Sequence, residues 1–192
     1  MGETSPVAFA RRSRRRFLAT AGGTALLALA GCQGSGGVPD PVTLTTDDTC
    51  EVCGMVIPNH PGPSAEIFYR NHSPSGHDNP ARFDSTWEAF QYDFQRDWER
   101  QVMYVTDYSS VDYRLLREGD ALLISRHPDA SAFVDAADVT FVVGSAVQGA
   151  MGRDLIAFSD EADAQSFADD HGGSLATLDE VTPETIAALR QA

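Results

Sequence analysis

The chain has 192 residues, with 28 acidic side chains against 14 basic ones, and every basic one is arginine. Five arginines, Arg11, Arg12, Arg14, Arg15 and Arg16, precede a long uncharged stretch, so residues 32–192 hold 9 arginines against 27 Asp plus Glu, a net charge of −18. Such a field repels phosphate backbones and anionic surfaces, which excludes nucleic-acid partners and attachment to membranes through basic patches. With 42% apolar residues, 10 Phe, 5 Tyr and 2 Trp, disorder is excluded too.

The front end predicts export. Ser13–Leu18 reads SRRRFL and runs into a Gly- and Ala-rich apolar stretch, a pattern similar to a twin-arginine signal. The stretch from Phe17 to Ala30 has 14 residues. A bilayer-spanning helix needs about 20, so the segment reads as a signal and not a permanent anchor. Leu29-Ala30-Gly31-Cys32 resembles a lipobox, which makes Cys32 the lipidated first residue of the mature chain. Residues 1–31 are then the signal, 32–43 a Gly/Ser/Pro tether, and 44–192 the working domain.

Two imperfect copies of one unit follow. In the first, AEIFYR (65–70) and VMYVTDY (102–108) alternate as strands do, and FDSTWEAFQYDFQRDWE (83–99) between them has helical periodicity through Trp87, Phe90 and Phe94. Asp84 or Ser85 caps that helix, with Glu88 completing a capping box. In the second, DVTFVVGS (138–145) and DLIAF (154–158) read as strands. SDEADAQSFADDHGG reads as a helix capped by Ser159 and Gly172, and SLATL (174–178) closes the unit. Both units follow strand, strand, helix, strand. The predicted fold is α+β: two similar ββαβ lobes packed together, about 44–108 and 138–192, with a short C-terminal helix opened by Pro183. The connector, 109–137, holds one buried strand, ALLIS (121–125). PNHPGPS and NHSPSGHDNPA interrupt the first lobe as surface loops and carry His60, His72 and His77.

Cys50-Glu51-Val52-Cys53-Gly54-Met55 is the most informative hexad. A C-x-x-C pair brings two sulfurs within reach of one ion, and Gly54 turns the backbone so that Met55 adds a thioether. Two thiolates and a thioether are soft donors that select Cu(I). A closed zinc site needs four Cys or His ligands, and only His72 and His77 are spaced like a ligand pair. Met151, in the Gly-flanked GAMG, is the other candidate donor, matched to Met55 by a pseudo-twofold relation between the lobes. Met103 lies inside a strand and reads as core.

Taken together, the lipoprotein signal, CEVCGM (50–55), FDSTWEAF (83–90), YVTDY (104–108), AFVDAADVTFVVGS (132–145) and GAMGRDLIAF (149–158) resemble the NosL family over nearly all of the mature chain. The resemblance implies a non-enzymatic, extracytoplasmic copper chaperone, lipid-anchored to the outer face of the cell membrane. Its partners would be nitrous oxide reductase, whose copper-sulfide centre receives the Cu(I), and the membrane maturation machinery of that enzyme. It implies paired ββαβ lobes, shared with organomercurial lyase relatives. The copper-ligand role passes to Cys53 and Met55, and with them Cys50 and Met151. Asp84 and Asp107 fall in family-like motifs but need no role beyond capping. The acidic, lysine-free surface resembles that of halophile proteins, and the chain is read as a monomer with a dimer as alternative. Two rival functions stay open from the residues alone: a dithiol-disulfide oxidoreductase, and a non-catalytic lipoprotein with a structural Cys50-Cys53 disulfide.

Overall fold

The structure, a computed structural model, describes residues 37–74 and 76–190. The arginine-rich signal, the lipobox and Cys32 lie outside the described residues. Among the described residues no helix is long and apolar enough to cross a membrane.

The first lobe runs β1 (Ala65–Tyr69), β2 (Ala81–Phe83), α1 (Thr86–Phe94) and β3 (Arg100–Thr106). After it come a hairpin of β4 (Leu115–Glu118) and β5 (Ala121–Ile124), then the short β6 (Phe133–Asp135). The second lobe runs β7 (Thr140–Gly149), β8 (Gly152–Phe158), α2 (Glu161–His171) and β9 (Ser174–Ala176), and α3 (Pro183–Ala188) ends the fold. In each lobe the first strand is central and pairs antiparallel with both others, so β2-β1-β3 and β8-β7-β9 are the same ββαβ arrangement.

The connector is richer than one buried strand. The β4–β5 hairpin extends the second sheet, where β5 pairs in parallel with the far end of β7, while β6 joins the first sheet beside β3. Of the run 121–125, only Ile124 is fully buried among the apolar residues. Each sheet thus takes one of its edge strands, β6 or β4, from the segment between the lobes.

Strand alternation decides which layer each side chain joins. Phe141, Val143, Leu155 and Ala157 face the core that holds α1, whereas Val142, Ile156 and Phe158 face α2 through Ala164 and Phe167. Helix α1 lies between the two sheets. Its Phe90 meets Phe141 edge-on at 5.6 Å, and Trp87 donates to the Ile186 carbonyl of α3 at 2.7 Å. Met103 is core, as expected. The helix is shorter than its periodicity suggested, ending at Phe94, which is exposed at 39%, and Tyr92 is buried in its place.

Caps fasten the lobes to one another. Ser85 caps α1 and accepts from the Glu88 amide, but Glu88 turns its carboxylate elsewhere, so only half of the predicted capping box forms. Asp154 of β8 reaches across to the same helix entrance, accepting from Ser85 Oγ at 2.7 Å and the Trp87 amide at 2.8 Å. Reciprocally, Asp107 at the end of β3 accepts from both the amide and the hydroxyl of Ser159, each at 2.8 Å. Ser159 is therefore spoken for, and Asp160, one residue on, caps α2, because its side chain accepts from the Ala162 amide. Gly172 closes that helix at φ +72° as predicted.

Residues 37–44, the end of the stretch read as a tether and the start of the domain, lie along the first sheet. The Gly37 and Pro39 carbonyls accept from Gln101 and Tyr104, and the Val42 amide donates to Glu66 at 3.0 Å. Glu66 is thereby wholly buried on β1. Burial pushes Glu66 and Asp154 up to about 7 each. Both raised values mean that the folded state holds protons that the unfolded chain has released, so their contribution is fully present below the ordinary carboxylate range and lost as pH rises through about 7. Urea unfolding of the copper-free protein should therefore report a stability lower by about 2–5 kcal/mol at pH 7.5 than at pH 5. Asp154→Asn should flatten that slope; an unchanged slope would exclude Asp154 as a source.

Candidate metal centre

The hexad from Cys50 to Met55 folds as a tight hairpin. Thr49 and Val56 pair across its base, the Cys50 amide donates to the Met55 carbonyl at 2.9 Å, and the Gly54 amide donates to the Cys50 carbonyl at 2.9 Å. Gly54 sits at φ +74°, where a side chain would be strained, so the turn depends on that glycine. The hairpin's backbone is held to the first lobe where the Glu51 amide donates to the Arg82 carbonyl of β2 at 3.0 Å, and Ile57 is buried at its exit. Pro58 lies in a single 3₁₀ turn and no helix follows. The dithiol is thus not at a helix N-terminus, and both thiols are free.

Facing the hairpin is the entrance of α1, which presents Asp84 and Glu88. Cys50 Sγ donates to Glu88 Oε2 at 2.9 Å and Cys53 Sγ to Asp84 Oδ2 at 3.4 Å. One donor atom from each of these four residues lies within 4.8 Å of the others, the spacing of a metal cluster. Cys50, Asp84 and Glu88 are buried, and only Cys53 is partly open to solvent. Asp84 Oδ1 is buried with no hydrogen-bond partner.

Protons fill this pocket when no ion does. Burial raises the Cys50 thiol far above its ordinary range, and Glu88 and Asp84 add to the effect; the amides of Cys53 and Asp84, directed at the sulfur, oppose it. Cys53 is raised as well, by burial and then by the charge of Asp84, against the Met55 amide. Glu88 is pushed up to about 7 by burial and then by the neighbouring Asp84 carboxylate. Desolvation here favours neutral thiols, and a cation entering the pocket reverses that balance by supplying positive charge where the protons were.

Of the residues expected to bind metal, Cys50 and Cys53 are brought together and Met55 is carried on the same hairpin, half-buried. Met151 comes from the second lobe, on the tight β7–β8 turn. Its carbonyl accepts from Arg190, whose guanidinium lies 3.6 Å above the Trp87 ring, so the turn is tied to the first turn of α1. The expected pseudo-twofold match between Met55 and Met151 does not hold. Met151 lies between the first two strands of its lobe, whereas Met55 precedes β1; the topological counterpart of the Met151 turn is the His-bearing loop between β1 and β2.

No histidine joins the cluster among the described residues. His72 stacks on Trp98 at 4.8 Å between ring centres, and His77 is held between Glu51 at 2.5 Å and Arg82 at 2.9 Å. Asp107 does what a capping carboxylate does and no more. Asp84 and Glu88 are the two carboxylates of the cluster that the sequence reading passed over as helix-entrance acids. Their four-residue separation, with Asp84 just before the N-cap and Glu88 in the first turn of α1, was the available signal.

The sequence pattern of the NosL family matches residues 41–186. This chain belongs to the NosL family. Two family members named copper-binding lipoprotein NosL are similar to it. The one from Achromobacter cycloclastes is 30% identical over 177 residues, covering 89% of this chain and 82% of the relative. The one from Stutzerimonas stutzeri is 28% identical over 142 residues, covering 74% of this chain; this match spans 66% of the relative's length. Among solved structures, the crystal structure of the copper chaperone NosL from Shewanella denitrificans superposes with a TM-score of 0.60 at 29% identity, over 73% of this chain and 94% of that one. The paired lobes are therefore the NosL fold.

Proposed function

We propose that this protein is an exported copper chaperone. It binds Cu(I) between Cys50 and Cys53, with Met55 and Met151 as thioether donors, and delivers it for the copper-sulfide centre of nitrous oxide reductase, directly or through that enzyme's membrane maturation machinery. The observation that carries this function is the pair of free thiols on one hairpin, one sulfur buried and the other half-open. Soft sulfur selects a soft monovalent ion. A half-open ligand lets an acceptor's donor atom enter before the first bond is given up. The names of the relatives, copper-binding lipoprotein and copper chaperone, point the same way.

The chain's own residues supply three things. The hairpin fixes the two sulfurs at one point, the amides of Cys53, Asp84 and Met55 stabilise negative sulfur, and the walls of α1 keep water from Cys50. Anaerobic titration of the reduced protein with Cu(I) against a competing chelator should give one tight site per chain; no binding above that of a cysteine-free control would exclude the function.

Export by the twin-arginine route and lipid attachment at Cys32 complete the proposal, and the acidic, lysine-free surface suits a salty exterior. Cys32→Ser should move the protein from the membrane fraction to the soluble one, and continued membrane fractionation would rule out that anchor.

A further inference from the structure

Asp84 has a property that a sulfur-only copper site does not use. Its Oδ2 accepts from Cys53, while Oδ1 is wholly buried, beside two thiols and a second carboxylate, and has no partner. Leaving a carboxylate oxygen desolvated and unpaired is costly, and the other buried carboxylates at the helix entrances, Asp107 and Asp154, have both oxygens bonded. Glu88 is equally buried and aims Oε2 at Cys50. Soft monovalent ions gain little from such oxygens. Divalent zinc does gain from them, since it takes thiolate sulfur at about 2.3 Å and carboxylate oxygen at about 2.0–2.2 Å in four-coordinate sites. Donor atoms in a tetrahedron of those bond lengths stand about 3.3–3.8 Å apart. The four donors here already lie within 4.8 Å of one another, so a small contraction closes the set.

Charge points the same way. Two thiolates and two carboxylates in a buried pocket carry more negative charge than a monovalent ion offsets, and a divalent ion offsets more of it.

We propose that Asp84 and Glu88 are metal ligands, and that this pocket takes a divalent thiophilic cation of the zinc type through two sulfurs and two oxygens, in competition with copper. The inference rests on the Cys50–Cys53 pair being the metal site. On binding, the two thiol protons and any proton on Glu88 leave to solvent and the cation takes their place; nothing is oxidised or reduced.

Titration of the reduced protein with Co(II), a spectroscopic stand-in for zinc, tests this. One equivalent should develop sulfur-to-metal charge transfer in the near ultraviolet and the intense visible bands of tetrahedral cobalt, and one equivalent of Zn(II) should abolish both. Asp84→Asn should lower the Zn(II) affinity by about tenfold or more, and should shift the ratio of Zn(II) to Cu(I) affinity toward copper by at least that factor. Glu88→Gln should act in the same direction and carries the test if Asp84→Asn does not fold. Weak octahedral cobalt bands, or Zn(II) affinity unchanged in both folded variants, would overturn the proposal, as would equal losses of Zn(II) and Cu(I). The two functions fail separately: Cu(I) binding without a cobalt or zinc site leaves the chaperone and removes this inference, and the reverse result removes the chaperone alone.

Discussion

Replacing either sulfur of the hairpin, in Cys50→Ser or Cys53→Ser, should weaken Cu(I) binding by more than about 100-fold, because losing a direct ligand exceeds the 10–100-fold that loss of an outer partner costs in metal sites. Both variants should stay folded, since a serine hydroxyl can donate to Glu88 or Asp84 as the thiol does. The variants should differ in kinetics. Cys53 is half-open and Cys50 is buried. Residual copper held by Cys50 alone should therefore pass more slowly to a competing thiol than copper held by Cys53 alone. Competition titration measures the first effect and stopped-flow transfer the second; Cu(I) affinity unaltered in both folded variants would remove the hairpin from the site. Raised thiols also set the direction with pH. Copper must displace two protons, so affinity should climb as pH rises, by up to about 100-fold per unit.

The second large effect is on stability. Phe90 is 1% exposed and fills the space between the sheets, against Phe141 at 5.6 Å. Phe90→Ala should destabilise the protein by about 3–5 kcal/mol, the range for an aromatic ring deleted from a close-packed core. Phe94→Ala, one turn on and 39% exposed, should cost well under about 1 kcal/mol. Chemical denaturation of the two variants side by side checks this. Similar losses in both would mean that α1 does not sit between the sheets.

Phe90 and Phe94 also mark how far sequence periodicity reaches. The 3.6-residue spacing identified α1 and one apolar face, but solvent meets the last turn of that face, and only the second sheet's position decides it. The two ββαβ units were legible because their central strands alternate and their helix entrances carry caps. β4 and β6 were not. β4 has a half-buried leucine followed by three exposed residues and is defined by its hairpin pairing with β5, while β6 has only three residues and is defined by β3, distant in the chain, so neither shows a local pattern of its own.

The site divides in the same way. Cysteine spacing and a left-handed glycine mark the sulfur half from sequence alone. Asp84 and Glu88 were hidden, because a carboxylate before a helix and another in its first turn are also what ordinary capping requires. The thiols facing both acids and the unpartnered Asp84 oxygen separate the two roles, and these depend on where the hairpin folds back, which neighbouring residues do not encode.

The reciprocal clasp of the lobes bears on how cargo leaves. Asp154 grips Ser85 and Trp87, the residues on either side of the turn from which Asp84 and Glu88 project, so the acidic wall is a fixed jaw held by both lobes. The sulfur side is a short hairpin held through the Glu51 amide to Arg82, the Glu51 carboxylate to His77, the two thiols to Glu88 and Asp84, and the buried Cys50 and Ile57. Unloading then needs no separation of the lobes. A docking partner has only to lift one flap of six residues, which keeps the rest of the molecule rigid while the ion changes hands.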